Sequence, residues 1–241
     1  MRNLLYQRLP MISKKLLFFL ILFPLSQIHG QKERVSSYNV LNIEYQINSK
    51  WYAYAEGQLR GTEDYSYPDY YEIKGGIGRE VGRNNKVLIG LGRYANYEDH
   101  ALKKEEFRIW IQDAYAIKRG RFKFENRVRA EKSWNYEPQS DEHSQRIRLR
   151  YRLNVSAPLN SAEVQPGTIS GNAYNEVFFV VTQNPLFARN RTYAGLSYKI
   201  DDLFSLAGGY LWQRDFSSKG NRNLHFLYLA LSVDIDPERG K

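Results

Sequence analysis

The sequence predicts an all-β fold: an antiparallel transmembrane β-barrel of the outer-membrane type, with about 10–12 strands and a charged lumen, preceded by a cleaved signal peptide. Three observations predict it. The chain opens with a basic and then apolar leader, apolar and polar residues alternate over most of the remainder, and the alternating segments are long. A tilted strand crosses a bilayer in about 9–11 residues, whereas strands of soluble proteins average about five or six.

Residues 1–30 have the organisation of a signal peptide. Lys14 and Lys15 precede an unbroken apolar run at 16–25, and a polar stretch then ends at the small residue Gly30. The run is too short for a spanning helix, which needs about 20 residues. We predict cleavage after Gly30, which leaves 31–241 as a single β-barrel domain. Met11 would by itself open a conventional signal sequence, and a retained membrane anchor is the alternative to cleavage.

The composition excludes several classes of protein. The chain has no cysteine, which excludes disulfides, thiol nucleophiles, cysteine-ligated metals and a lipidated N-terminal cysteine. Its formal charge of +9 falls to +5 once the four basic residues of the leader are removed. This mild basicity gives no argument for nucleic acid, which an exported protein rarely meets.

Alternation with a period of two marks strands that have two different faces. Leu41, Ile43 and Tyr45, for example, oppose Asn42 and Glu44. In the first half of the chain the pattern predicts strands at 40–47, 51–60, 70–81 and 86–97. The glycines at 75, 76 and 78, inside one of these strands, are predicted to relieve crowding or permit bending.

The second half of the chain alternates more sharply. The predicted strands are 107–118, 121–131, 146–155, 172–182, 190–200, 203–214 and 223–235. This brings the visible strands to eleven. Because single-chain bacterial barrels have even strand numbers, we lean to twelve. Residues 31–39 would then form a short first strand or a segment that threads the lumen, unless a strand has been miscounted.

The connections should alternate between short turns and longer loops. Short turns are predicted at 48–50, 82–85, 119–120 and 201–202, and longer loops at 61–69, 98–104, 132–144, 183–189 and 214–222. The 157–169 connection is long although it lies on the short-turn side. Aromatic residues near predicted strand ends are expected at the membrane interface; they are Tyr38, Trp51, Tyr71, Tyr97, Trp134, Tyr193, Tyr210 and Trp212.

The charges decide which face of the predicted strands meets lipid. An arginine facing lipid near the bilayer midplane costs about 2–4 kcal/mol. The four arginines at 146, 148, 150 and 152 would therefore cost on the order of 10 kcal/mol on that face. We expect the charged faces to line the lumen. The alternative is a soluble barrel with an apolar core and its arginines in water.

The predicted lumen contains a basic ladder and a set of acidic partners. The basic ladder is Arg121, Lys123, Arg127, Arg129, Arg146, Arg148, Arg150 and Arg152. The acidic partners are Glu56, Glu72, Glu125, Glu131 and Glu176. Because the two strands that carry the ladder supply only Glu125 and Glu131, we expect a wet and positively biased lumen.

Four segments of the alternating sequence carry a resemblance to a known family. They are 50–60 (Lys-Trp-Tyr-Ala-Tyr-Ala-Glu-Gly-Gln-Leu-Arg), 175–178 (Asn-Glu-Val-Phe), 190–198 and 209–211. The sequence resembles an uncharacterised outer-membrane family, the domain-of-unknown-function 2490 family, over nearly all of 36–235. The resemblance implies a β-barrel in a Bacteroidota-type, Gram-negative outer membrane and no assigned activity. Many outer-membrane proteins end on an aromatic residue, whereas here residues 236–241 follow the last strand.

The sequence favours a structural or narrow barrel whose basic lumen is filled by arginine–glutamate pairs. A channel or binding barrel for small anionic solutes is the first alternative. An outer-membrane hydrolase is the second, with His143–Ser144 or Asn223 and His225 as candidates. His100, like His143, falls in a predicted loop away from metal-ligand spacing. We therefore expect no enzyme, cofactor or metal.

The expected location is the outer membrane. The expected partners are outer-membrane lipid, the barrel-assembly machinery and small anions, and nucleic acid is not among them. The sequence leaves the oligomeric state open.

Overall fold

The computed structural model describes residues 35–61, 68–182, 184–218 and 220–238. In these ranges eleven strands form one closed barrel. The strands are β1 (Val35–Gln46), β2 (Trp51–Gly61), β3 (Pro68–Val81), β4 (Asn85–Glu98), β5 (Ala101–Arg119), β6 (Phe122–Glu137), β7 (Glu142–Pro158), β8 (Ile169–Val180), β9 (Phe187–Lys199), β10 (Phe204–Asp215) and β11 (Arg222–Ile235). The predicted signal peptide, 1–30, lies outside the described residues. Within the described part of the chain, no helix has the length and apolarity needed to cross a membrane.

The barrel closes through a parallel pair of strands. Each strand pairs antiparallel with the next along the chain, while β1 and β11 pair in parallel, with Tyr38 beside Tyr228 and Leu41 beside Leu231. An odd number of up-and-down strands leaves the first and last pointing the same way, so their pairing must be parallel. The expectation of twelve strands is wrong for the described residues, because 35–39 form the beginning of β1. Odd barrels are known, with 19 strands in one mitochondrial channel.

The predicted strands all occur, but β5, β6 and β7 are longer than expected, at 19, 16 and 17 residues. The predicted loops at 98–104 and 132–144 are therefore mostly strand. Asp99 and His100 alone join β4 to β5, and both have positive φ, 49° and 64°, as a type I′ hairpin requires. Residues 138–141 join β6 to β7. We call the end of the barrel with these two connections the upper end.

Burial separates two surfaces of the barrel. Ile73, Ile89 and Val128 face outward and are 68%, 65% and 53% exposed. Glu131 and Arg129 face inward and are 3% and 4% exposed. The charged faces thus line the lumen and the apolar faces form the exterior. This is the reverse of the alternative soluble barrel, which would enclose an apolar core.

Buried aromatic residues fill part of the lumen. One cluster contains Tyr38, Val40, Tyr193, Leu211, Phe226 and Ala230, and a second contains Tyr52, Leu88 and Trp110. The prediction that Tyr38 and Tyr193 lie at the membrane interface is wrong, because both face inward and are only 6% and 4% exposed.

Glycine makes room for the inward rings. A Cβ on Gly90 would lie 2.3 Å from the Trp110 ring. On Gly195 a Cβ would lie 2.3 Å from the Tyr193 hydroxyl. Glycine inside a strand commonly marks such a close approach.

Candidate functional site in the barrel lumen

Glu131 is the centre of a buried ion-pair network on the wall formed by β5–β8. Its carboxylate lies 2.5 Å from Arg148 Nη2 and 2.7 Å from Arg150 Nη1. Arg108 Nη1 and Arg129 Nη1 each lie 3.7 Å away. The Glu131 side chain is 1% exposed, so the four guanidinium groups surround it almost completely. Buried carboxylates need such partners because removal from water is costly.

Arg150 connects Glu131 to a second buried carboxylate, Glu176 on β8. Its Nη2 lies 2.8 Å from Glu176 Oε1, while Nη1 contacts Glu131. Arg127 Nη2 also donates to Glu176 Oε1, at 2.6 Å. Bidentate, charge-assisted contacts of this kind fix the planar guanidinium group in one orientation.

The network continues toward the upper end through Glu106. Arg108 donates to Glu106 Oε1 through Nε at 2.9 Å and Nη2 at 2.7 Å. Arg146 Nη2 lies 3.4 Å from the other carboxylate oxygen. The Arg108 guanidinium also stacks on the Tyr94 ring, with its carbon 3.8 Å from the ring centroid. This cation–π contact orients the guanidinium group without using a further carboxylate.

A smaller and balanced set of charges occupies β2 and β3. Lys74 Nζ contacts Glu56 and lies 2.6 Å from Glu72 Oε1. Arg60 lies between the rings of Tyr38 and Tyr70, 4.4 and 4.0 Å from their centroids. Arg60 Nη2 is 3.9 Å from Glu72, so two bases and two acids offset one another here.

Six of the eight predicted ladder residues come together in the lumen. They are Arg127, Arg129, Arg146, Arg148, Arg150 and Arg152. The other two lie apart: Arg121, in the turn after β5, donates to the carbonyl of Pro158 at 2.5 Å, and Lys123 is exposed near the start of β6. Of the predicted acids, Glu125, Glu131 and Glu176 contact ladder arginines. Glu56 and Glu72 contact Lys74 instead.

Glu106, Arg108 and Arg191 line the same lumen and are not among the named ladder residues and acidic partners. Arg108 and Arg191 do lie on the charged strand faces that the alternation assigns to the lumen, whereas Glu106 was not predicted there. Arg191 donates through Nε to Gln213 Oε1 at 2.7 Å. Glu106 follows a run of charges that resembles a loop, although its place two residues before Arg108 puts it on the same strand face. Extending the alternation of β5 upward would have found it.

Two cavities lie at different levels of the lumen. The upper cavity has a volume of about 820 Å³ and contains the arginine-rich network. The lower cavity, about 510 Å³, is acidic: Lys86 is its one basic residue among the described lining residues. Its acids are Glu44, Glu80, Asp234, Asp236 and Glu238. Along β4, the buried Leu88 lies between Lys86 of the lower cavity and Asn96 of the upper one.

His143 and His225 lie away from the ion-pair network, and His100 lies in the β4–β5 hairpin at the rim of the upper cavity. The His143 ring stacks on Tyr136 in the upper hairpin, with centroids 4.7 Å apart. His225 lies beside the Tyr210 ring on a different wall. No group of three or more metal-ligating side chains occurs in the described ranges. The absence of a metal, a cofactor and catalysis stays a prediction.

Fold and site together define a closed, all-β barrel with an apolar exterior and a charged, partly filled lumen. Residues 35–224 match the model of the family described as protein of unknown function, DUF2490. The match covers most of the chain, and the chain belongs to this family. No curated protein matches it.

Proposed function

We propose that the protein is an integral outer-membrane barrel whose lumen is closed by its own side chains. The observation that carries this proposal is the inversion of polarity, with Ile73 and Ile89 more than half exposed and Glu131 3% exposed. An apolar band facing lipid and a polar interior are typical of transmembrane barrels. In water, the same exterior would be a large exposed apolar surface.

The strand lengths support a membrane location. All eleven strands in the described ranges have at least 11 residues, and about 9–11 suffice to cross a bilayer at a tilt.

An outer-membrane protein must be exported through the inner membrane, and residues 1–30 have the organisation of the signal peptide that export requires. We therefore propose cleavage after Gly30. N-terminal sequencing of the membrane-extracted protein should begin at Gln31. Recovery of the apolar run at 16–25 would contradict cleavage.

A filled lumen is supported by the side chains between the two cavities. Tyr52, Leu88 and Trp110 are each less than 5% exposed, and Tyr54 packs against them. Small barrels are commonly filled by side chains in this way. We therefore favour a structural barrel over an anion channel or porin. In planar bilayers the protein should give no stepwise conductance, and anion-selective steps would favour the channel instead.

Membrane integration is tested by fractionation and by one lipid-facing substitution. The protein should pellet with outer membranes and require detergent for extraction. Ile89→Arg should lower stability in lipid by about 2–4 kcal/mol if the site lies near the midplane. Gln139→Arg, in the upper turn, is the matched control and should have little effect. A protein that folds and stays soluble without detergent would overturn the proposal.

A further inference from the structure

The facing arginines of β6 and β7 form an arrangement that is unfavourable by itself. The register places Arg127 directly opposite Arg152, and Arg129 directly opposite Arg150. Like charges in directly opposed positions destabilise an antiparallel pair. The nearest compensation comes from β8, where Glu176 stands opposite Arg152 and, on its other side, opposite Arg191. A single carboxylate therefore lies in a row of three arginines.

The carboxylates leave donors of these arginines without an anionic partner. Arg127 and Arg150 share Glu176, Arg152 has Glu125 at 2.8 Å, and Arg191 donates to the neutral amide of Gln213. Arg152 Nε is buried and has no hydrogen-bond partner. An uncompensated buried charge is expensive unless an anion or water reaches it.

The same arginines line an accessible space. Arg127, Arg150, Arg152 and Arg191 all border the upper cavity of about 820 Å³, together with aromatic side chains such as Tyr174 and Tyr228. Pockets for small molecules typically have volumes of about 300–1,000 Å³. The cavity thus has the size of a ligand site, and the guanidinium groups that line it outnumber the carboxylates that they contact.

We propose that the upper cavity binds a small, multiply charged oxyanion through Arg127, Arg152 and Arg191. The paired N–H donors of a guanidinium group match the paired oxygens of phosphate and carboxylate groups. A halide ion has no such pair of acceptor atoms, so we expect an oxyanion. The acidic lower cavity repels such a ligand, so the anion enters from the upper end. Anion binding in the upper cavity does not depend on the proposed membrane function. The inference rests on that function only for the side of the membrane from which the anion enters.

The test uses the purified barrel in a non-ionic detergent, titrated calorimetrically with inorganic pyrophosphate and with citrate at constant ionic strength. At least one probe should bind saturably to a single site. Arg127→Gln and Arg152→Gln should each weaken that binding at least tenfold. Arg93→Gln is the matched control, because Arg93 pairs with Glu105 on the exterior, and it should leave the affinity within about twofold.

A further variant changes the affinity in the opposite direction. Glu125→Gln removes the carboxylate that competes for Arg152, at a side chain that is 24% exposed and therefore tolerant of change. It should tighten binding of the same probe. Absence of saturable binding of both probes, or equal affinity in the parent and in both arginine variants, overturns the proposal. Neither result bears on membrane integration, which fractionation decides separately.

Discussion

The two walls of the lumen are filled by different physical means. On the charged wall, β5–β8, buried side chains such as Arg129, Glu131 and Glu176 form an ion-pair network. On the aromatic wall, β9–β11 with β1, Tyr193, Leu211 and Phe226 pack by contact. The lumen of one barrel is therefore filled by ion pairs on one wall and by aromatic packing on another, whereas the exterior is apolar beside both.

The walls should respond differently to the removal of one side chain. Truncating an apolar side chain on the aromatic wall weakens the packing around that side chain only. Neutralising a carboxylate on the charged wall leaves several arginines uncompensated at once.

Glu131→Gln should have the largest effect. Four arginines surround this carboxylate within 3.7 Å. Its removal leaves Arg129 and Arg148 buried without a carboxylate in contact, while Arg108 and Arg150 keep Glu106 and Glu176. Breaking a buried ion pair from one side costs about 3–5 kcal/mol. Urea unfolding in lipid vesicles, monitored by tryptophan fluorescence, measures the decrease in stability. Glu142→Gln, at an exposed position that begins β7, is the control and should change little. Equal effects of the two would contradict the central role of Glu131.

Leu211→Ala should destabilise the aromatic wall by about 2–4 kcal/mol, because it leaves a cavity among buried neighbours such as Tyr193 and Phe226. Leu211 is 0% exposed, whereas Leu206 on the same strand faces outward at 48% exposure. Leu206→Ala is therefore the control, since an outward-facing side chain leaves no enclosed cavity when it is truncated. The Leu211→Ala effect should also be insensitive to salt. A strong salt dependence would mean that the two walls are not distinct.

Gly195→Val tests the close packing around Tyr193. A Cβ here would lie 2.3 Å from the carbonyl oxygen of Gly208, which is part of the neighbouring backbone and cannot move aside cheaply. We expect a decrease in stability of about 1–3 kcal/mol, as for other overpacked sites. Gly57→Val is the control because no atom lies within 4 Å of its Cβ position. Thermal unfolding in detergent compares the two variants.

Arg129→Gln should have the smallest effect, about 1 kcal/mol or less. The substitution relieves repulsion from Arg150, directly opposite, and Glu131 keeps its closer partners Arg148 and Arg150. The same urea experiment should place this variant far above Glu131→Gln in stability. A decrease as large as that of Glu131→Gln would show that positive charge is not in excess on this wall.

The strands were predictable because the alternation has a period of two and the environment differs across each strand. The arginines at 146–152 are the clearest case, since they share one strand face and every residue between them is apolar. Extending the alternation of the predicted 40–47 strand by two residues toward the N-terminus would have placed Tyr38 on the inward face, with Val40 and Asn42. Proximity to a strand end is therefore a poorer guide than parity to the side on which an aromatic residue lies.

The all-β class, the eleven alternating segments and the charged face of each strand could be predicted from the sequence, because a period of two separates the two faces of a strand. The parallel closure of β1 with β11 and the choice of ion-pair partners depend on how the whole sheet closes. Arg150 contacts both Glu131 and Glu176, which lie 19 and 26 positions away in the chain. Such partners are set by the stagger and curvature of the closed sheet, which no local pattern records.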